Sequence, residues 1–109
     1  MQPQITPKGD TLMIKLFGEI DHHASDAIRE RVDLAFDRPT YRHIVFDFSQ
    51  VTFMDSSGIG MLIGRYKNAE KRGGSVAVSG MSVDLRRIFA VSGLAKIIGY
   101  AGEGGDGNA

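Results

Sequence analysis

The chain has 109 residues, 42% hydrophobic and 24% charged, which predicts one globular domain. Thirteen basic residues balance thirteen acidic ones and cysteine is absent, which argues against a nucleic-acid partner and excludes disulfides, thiol nucleophiles and zinc–thiolate sites. No apolar stretch approaches the ~20 residues that span a bilayer, and residues 1–10 do not have the pattern of a signal peptide, so we expect a cytoplasmic protein without a membrane partner.

The hydrophobic pattern alternates between short apolar runs, which indicate strands, and helical spacing. In chain order it predicts an edge strand at 1–6, a strand at 12–17, a helix at 24–36, a strand at 43–48, a helix at 59–69, a strand at 76–78, a helix from about 82 to 92, and a strand at 96–100. Pro3 weakens the first strand, and prolines are tolerated at a sheet edge. Gly73 and Gly74 end the second helix, and Gly93 ends the third.

This order predicts an α/β layered domain with a mostly parallel central sheet of four to five strands and three helices. The runs are apolar at nearly every position, so we expect the sheet to be covered on both faces. Residues 101–109 read AGEGGDGNA and contain no apolar side chain larger than alanine. Such a segment cannot bury enough surface to offset its ordering entropy, so we expect a domain over 1–100 and a flexible glycine-rich tail over 101–109.

The loops that leave parallel strands at their carboxyl ends gather at one edge of the sheet. Three segments are placed there by the predicted order: residues 18–23, 54–58 and 80–82. The richest in chemistry is Asp55-Ser56-Ser57-Gly58, between a strand and the most regular helix. Asp and Ser oxygens commonly cap a helix N-terminus, which is the ordinary interpretation. A serine there is also suited to phosphorylation, because the helix N-terminus accommodates a phosphate.

The helix after this segment has a face opposite its predicted core stripe, which we centre near Ile59 and Tyr66. The opposite face carries Met61 and Gly64, together with Ser57 and Asn68. An exposed methionine beside a glycine would form a flat, adaptable surface for another helix. Single exposed apolar residues are common, however, so the pattern alone does not establish a docking surface.

Catalytic and cofactor motifs are not found in the sequence. His22 and His23 are adjacent and have no third metal ligand at useful spacing. Ser56 is not part of a G-x-S-x-G elbow, and neither phosphate-loop nor dinucleotide-binding glycine motifs occur. We therefore expect a protein that is not an enzyme and takes no cofactor or metal.

Three segments resemble the anti-sigma factor antagonists of the STAS family, and its sporulation branch most. They are GEIDHHAS, RHIVFDFSQVTFMDSSGIGMLIGRYKNA and RRIFAVSGLAKIIGY, and the likeness extends over residues 12–100. The resemblance implies a STAS fold whose usual terminal helix is missing here, because the chain ends in the glycine-rich segment. It also implies an anti-sigma factor partner that is a serine kinase, release of the sigma factor on binding, and a serine phosphatase that reverses the phosphorylation.

The family's phosphorylated serine, which follows the aspartate of the DSSG motif, corresponds to Ser56. We accordingly expect Ser56 to be phosphorylated and the partner to bind at a set of residues around it: Asp21, His22, Asp55, Ser57, Gly58, Met61 and Gly64.

Two other functions remain open from the residues alone. The same sheet edge and helix N-terminus could serve a small-ligand or nucleotide sensor without a phospho-switch, which a nucleotide-dependent shift in thermal melting would reveal. A stand-alone hydrolase is the third alternative, and the missing triad and metal ligands argue against it.

Overall fold

Capping residues set the starts of the helices in the computed structural model, which describes residues 2–102. The helices are α1 (His22–Phe36), α2 (Ser56–Glu70) and α3 (Val83–Val91). Each follows a polar residue whose side chain accepts a backbone N–H of the first turn: Asp21, Asp55 and Ser82, respectively. At the end of α2, Gly73 has a φ of 73° and the Gly74 N–H donates to the Ala69 carbonyl at 2.9 Å.

Five strands form one sheet in the order in which they occur along the chain. They are β1 (Gln4–Lys8), β2 (Thr11–Ile20), β3 (His43–Met54), β4 (Ser75–Ser79) and β5 (Gly99–Tyr100). β1 pairs antiparallel with β2, and the other three pairings are parallel. The predicted mixed, mostly parallel α/β sheet with three helices is confirmed. The edge position of β1 tolerates Pro7, which cannot donate a ladder hydrogen bond.

Alternate residues of the central strands form the core. Leu12, Ile14 and Leu16 of β2 are almost fully buried beside Phe46 and Val78 of the neighbouring strands. The residues between them, such as Met13, Val45 and Ala77, are only partly buried. Right-handed crossovers between sequential neighbours place successive helices on the same face. The prediction of a sheet covered on both faces is therefore wrong for residues 2–102. It failed because the face without helices also carries apolar side chains, such as Met13 and Val45.

Several element boundaries differ from the prediction, and the first strand is shifted from 1–6 to Gln4–Lys8. The last strand begins at Gly99 rather than residue 96, because Gly93 (φ 84°) turns the chain into a short 3-10 helix at Leu94–Lys96. The strand predicted at 43–48 continues to Met54, and the strand predicted at 12–17, with which it pairs, continues to Ile20. Most of the predicted tail, residues 103–109, lies outside the described residues.

Candidate functional site

Two helix N-termini lie side by side at the carboxyl ends of β2 and β3. The last residues of these strands, Ile20 and Met54, are partners in register, and the Asp55 N–H donates to the Ile20 carbonyl at 3.2 Å. Asp21 Oδ1 accepts the Ala24 N–H at 2.9 Å, while Asp55 Oδ1 accepts the Ser57 N–H at 2.8 Å. The predicted loop at 18–23 is thus reduced to Asp21 between β2 and α1, and Asp21 and Asp55 follow strand ends that are partners in register.

Ser56 and Ser57 differ sharply in environment. The half-buried Ser57 hydroxyl donates to Asp55 Oδ1 and contacts Ser25 Oγ of α1 at 3.0 Å. Ser25 is buried, so this contact joins α1 to α2. Ser56 is exposed at the first residue of α2, and its hydroxyl has no hydrogen-bond partner within residues 2–102. Of these two serines, Ser56 presents its hydroxyl to solvent, whereas modification of the Ser57 hydroxyl would break the hydrogen bond to Asp55.

The cap also sets the charge of Asp55. Donation by the Ser57 hydroxyl lowers the pKa of the Asp55 carboxyl below its ordinary value of 3.8, against the opposing effect of desolvation. The backbone N–H groups of Ser57 and Gly58 and the nearby His22 lower this pKa further. Asp55 is therefore ionised at neutral pH, directly beside Ser56.

Replacing Asp55 by Asn tests this charge through the pH dependence of stability. A folded pKa below 3.8 means that the Asp55 contribution is complete above 3.8 and is lost as pH falls through the folded value. We expect the Asp55→Asn variant to unfold at lower urea concentration than the native chain near neutral pH. The gap should shrink well below pH 3.8, and a gap independent of pH would contradict the assignment.

The outer surface of α2 is not the one predicted. Met61 is only 5% exposed, Ser57 contacts Ser25, and the Asn68 side chain donates to Asp33 Oδ1 at 3.3 Å. This face packs against α1, so the prediction of an exposed Met61 is wrong. The buried stripe contains Met61, Leu62 and Arg65, so it is turned away from the predicted centre near Ile59 and Tyr66, which are only partly buried.

Glycines of α2 have opposite surroundings. A Cβ on Gly58 would lie 2.3 Å from Met54 Cγ and 3.3 Å from Ile20 Cγ2, so Gly58 allows α2 to start tightly against the two strand ends. A Cβ on Gly60 or Gly64 would meet nothing within 4 Å. Gly58 is therefore required by packing within the domain, whereas Gly60 and Gly64 leave open space beside the helix.

A buried arginine holds α1 to α2 below the site. Arg65 is 6% exposed, and its Nε lies 2.9 Å from Asp33 Oδ1 as an ion pair without hydrogen-bond alignment. Burial lowers the pKa of Arg65, the Asp33 charge opposes that shift, and Arg29 adds to it. The pair fixes the relative position of the two helices whose N-termini form the site.

The third predicted segment, residues 80–82, does not reach this edge. Gly80 packs against Ser49, five residues before the end of β3, because β4 stops at Ser79 while β3 continues.

The last turns of α3 reach the site instead. Arg87, Ile88 and Val91 line a cleft of about 420 Å³ with Met54, Ser56 and Ile59. Sequence reasoning missed these α3 residues. The available signal was the excess of apolar residues in a nine-residue helix: Leu85 and Phe89 fill the core, and Ile88 and Val91 remain exposed.

The histidines of the site lie at the surface. His22 Nε2 is 3.6 Å from Asp26 Oδ2, and both side chains are exposed. Within residues 2–102, no group of three His, Asp or Glu side chains is arranged to hold a metal ion. In the same part of the chain, none of the helices has the length and apolar character that crossing a membrane requires.

The fold and this site define a known class. The STAS domain matches residues 2–103, and the chain belongs to the STAS family. It is 42% identical to the anti-sigma F factor antagonist of Paenibacillus polymyxa, over 80% of this chain and 74% of the relative. The resemblance to STAS-family anti-sigma factor antagonists is confirmed.

Solved structures of an anti-sigma factor antagonist are also similar to this chain. The unphosphorylated anti-sigma factor antagonist SpoIIAA is 34% identical with a TM-score of 0.70, covering 81% of each chain. The phosphorylated form of SpoIIAA, a Bacillus cell fate determinant, is 34% identical with a TM-score of 0.74, covering 93% of this chain and 92% of the other. A protein similar to this chain thus exists in both phosphorylation states.

Proposed function

We propose that the chain is a cytoplasmic, non-catalytic anti-sigma factor antagonist controlled by phosphorylation of Ser56. Unmodified, it binds an anti-sigma factor that is also a serine kinase, and the bound sigma factor is released. The kinase phosphorylates Ser56 and ends the binding, and a serine phosphatase restores it. The observation that carries the proposal is the exposed hydroxyl of Ser56 at the N-terminus of α2, which has no hydrogen-bond partner among residues 2–102.

The geometry supports Ser56 rather than Ser57 as the acceptor. Phosphorylating Ser57 would remove its hydroxyl hydrogen from Asp55 and place a phosphate against the buried Ser25. At Ser56 the phosphate would remain in solvent near the positive end of the α2 dipole. The domain would therefore remain folded after modification, as a reversible switch requires.

The effect on binding follows from charge. A phosphoserine adds about −1.5 to −2 charges at neutral pH, next to the ionised Asp55 and one strand away from Asp21. A partner that buries this surface must desolvate all of these charges, which is costly without matching cations. Asp21, His22 and Asp55 belong to the proposed interface, together with Gly64 two turns into α2. Gly58 and Met61 contribute by holding α2 in place.

A displacement assay tests the proposal. A complex of the anti-sigma factor encoded in the same genome with its sigma factor is mixed with the chain, and free sigma factor is measured by size-exclusion chromatography. We expect release by the unmodified chain and none by chain that the kinase has fully phosphorylated. Equal release by both forms would contradict the phospho-switch, and no release by either would contradict the antagonist function.

Alanine at Gly64 separates stability from binding. The open space beside Gly64 means that Ala fits, and the Gly64→Ala variant should be more stable by about 0.5–1 kcal/mol because the unfolded chain loses freedom. If a partner helix approaches at Gly64, the added methyl group should weaken binding at the same time. Calorimetric binding and thermal melting are compared with the Gly9→Ala variant at the opposite edge. Gly9 has a φ of 63°, so alanine there should lower the melting temperature, and no effect on binding is expected. Unchanged binding by Gly64→Ala would remove Gly64 from the interface.

A further inference from the structure

Within residues 2–102, one face of the sheet carries no helix, because all three helices pack against the other face. On the open face Met13, Val45 and Ala77 are partners in register on three adjacent strands. Their side chains alternate with those of the core and are only partly buried. Thr6 of β1 pairs with Met13, so an uncharged row crosses the middle of the face. Such a row on an open sheet face marks a candidate contact surface.

Two opposite charges lie next to this row. Lys15 and Asp47 are partners in register and stand on the same face as Met13. Neither side chain makes an ion pair within residues 2–102. Lys15 Nζ lies 5.8 Å from the centre of the Phe17 ring. Asp47 Oδ1 accepts the Ser49 N–H at 2.8 Å, and this neutral donor does not cancel the negative charge. Both charges are therefore available to another molecule.

We propose that the open face binds a second copy of this chain in a symmetric dimer. A two-fold axis parallel to the strands and midway between β2 and β3 places β2 of each copy over β3 of the other. Each Lys15 then faces Asp47 of the partner subunit, and each Met13 faces Val45 of the partner subunit. No facing pair in the shared ladder carries like charges. This charge complementarity favours a second copy as the occupant.

Residues 103–109 are a poor cover for this face, since they contain no apolar side chain larger than alanine to pack on Met13 and Val45. The helices lie on the other face, so the dimer leaves Ser56 of both copies accessible at the start of α2. The proposal goes beyond the proposed function and does not depend on it.

The size of the face sets the strength of the contact. Strands β1 to β4 share a ladder five residues long. At about 4.8 Å between strands and about 3.3 Å per residue, this ladder presents roughly 300 Å². Stable interfaces bury about 800 Å² on each partner. We therefore expect a weak dimer with a dissociation constant on the order of 100 µM.

Sedimentation equilibrium of the unphosphorylated chain, at concentrations from about 10 µM to about 1 mM, tests the dimer. We expect Lys15→Glu and Asp47→Lys each to weaken it by at least about tenfold, because both facing pairs of charges become pairs of like charges. A mixture of the two variants should associate within about threefold of the native strength, since both facing pairs are again of opposite charge.

Controls separate this contact from effects on folding. Asp47→Lys removes the acceptor of the Ser49 N–H, so the melting temperature of each variant is measured, and Lys15→Glu tests the contact without that loss. Glu30→Lys reverses an exposed charge on α1, and Leu34→Glu adds one at a position that is 78% exposed. Both of these helix variants should dimerise within about twofold of the native chain.

Three results would overturn the proposal. A native chain that stays monomeric at about 1 mM would exclude a dimer of the expected strength. A dimer that a folded Lys15→Glu variant leaves unchanged would place the contact on another surface. Two folded single variants that remain monomeric when mixed would exclude the pairing of Lys15 with Asp47 across a two-fold axis.

Discussion

The Ser56→Asp variant is expected to lose binding to the anti-sigma factor almost completely. The new carboxylate lies next to the ionised Asp55 at the start of α2, and a docked partner would have to bury both. An unmatched charge in an interface costs about 4 kcal/mol, on the order of a thousandfold in affinity. The domain itself should fold normally, because acidic residues are favourable at a helix N-terminus.

Two variants control this experiment in calorimetry. Ser56→Ala should bind as tightly as the unmodified chain and stay bound after incubation with kinase and ATP. Ser57→Ala should instead lower stability by about 1 kcal/mol, since Ser57 supports the cap and contacts Ser25. If Ser56→Asp and Ser56→Ala bound the partner equally well, the electrostatic account of the switch would be wrong.

The Asp33→Asn variant is expected to lose more stability than Asp55→Asn, Ser57→Ala or Asp84→Asn. It leaves Arg65 buried without its counter-charge, and breaking a fully buried pair in this way costs about 3–5 kcal/mol. Asp33 is 39% exposed, so water can compensate in part and we expect about 2–4 kcal/mol. Urea unfolding followed by circular dichroism measures the difference.

Two further variants make this result specific to the buried pair. Arg65→Met removes the buried charge and leaves Asp33 to solvent, so it should cost much less than Asp33→Asn. Asp84→Asn breaks the exposed pair with Arg87 and should cost less than about 1 kcal/mol. Equal effects of Asp33→Asn and Asp84→Asn would mean that burial of Arg65 adds nothing to the interaction.

Local signals in the sequence were sufficient for the element order. Asp55 and Ser82 start helices because their oxygens satisfy free N–H groups, and Gly73 ends one because it accepts a positive φ. These preferences act within a few residues and do not depend on the rest of the fold. The position of Ser56 at a helix N-terminus followed from the same signals.

Surfaces could not be predicted in the same way, because burial depends on which element packs against which. Met61 was expected at the surface, yet α1 covers it, and Arg65 is buried although arginine usually is not. The open sheet face escaped prediction because Met13 and Val45 are as apolar as core residues. The cleft residues of α3 also escaped prediction, because the pattern of apolar residues did not show that β3 continues past the end of β4 to meet them.

The most direct test of the central claim is intact-mass spectrometry after incubation with ATP and the serine-kinase anti-sigma factor encoded in the same genome. The native chain and Ser57→Ala should each gain the mass of one phosphate, and Ser56→Ala should gain none. Phosphate on Ser56→Ala but not on Ser57→Ala would show that Ser57 is the phosphorylated residue and would contradict the account. An unmodified native chain that still bound the anti-sigma factor would leave a docking module in which Ser56 only begins a helix.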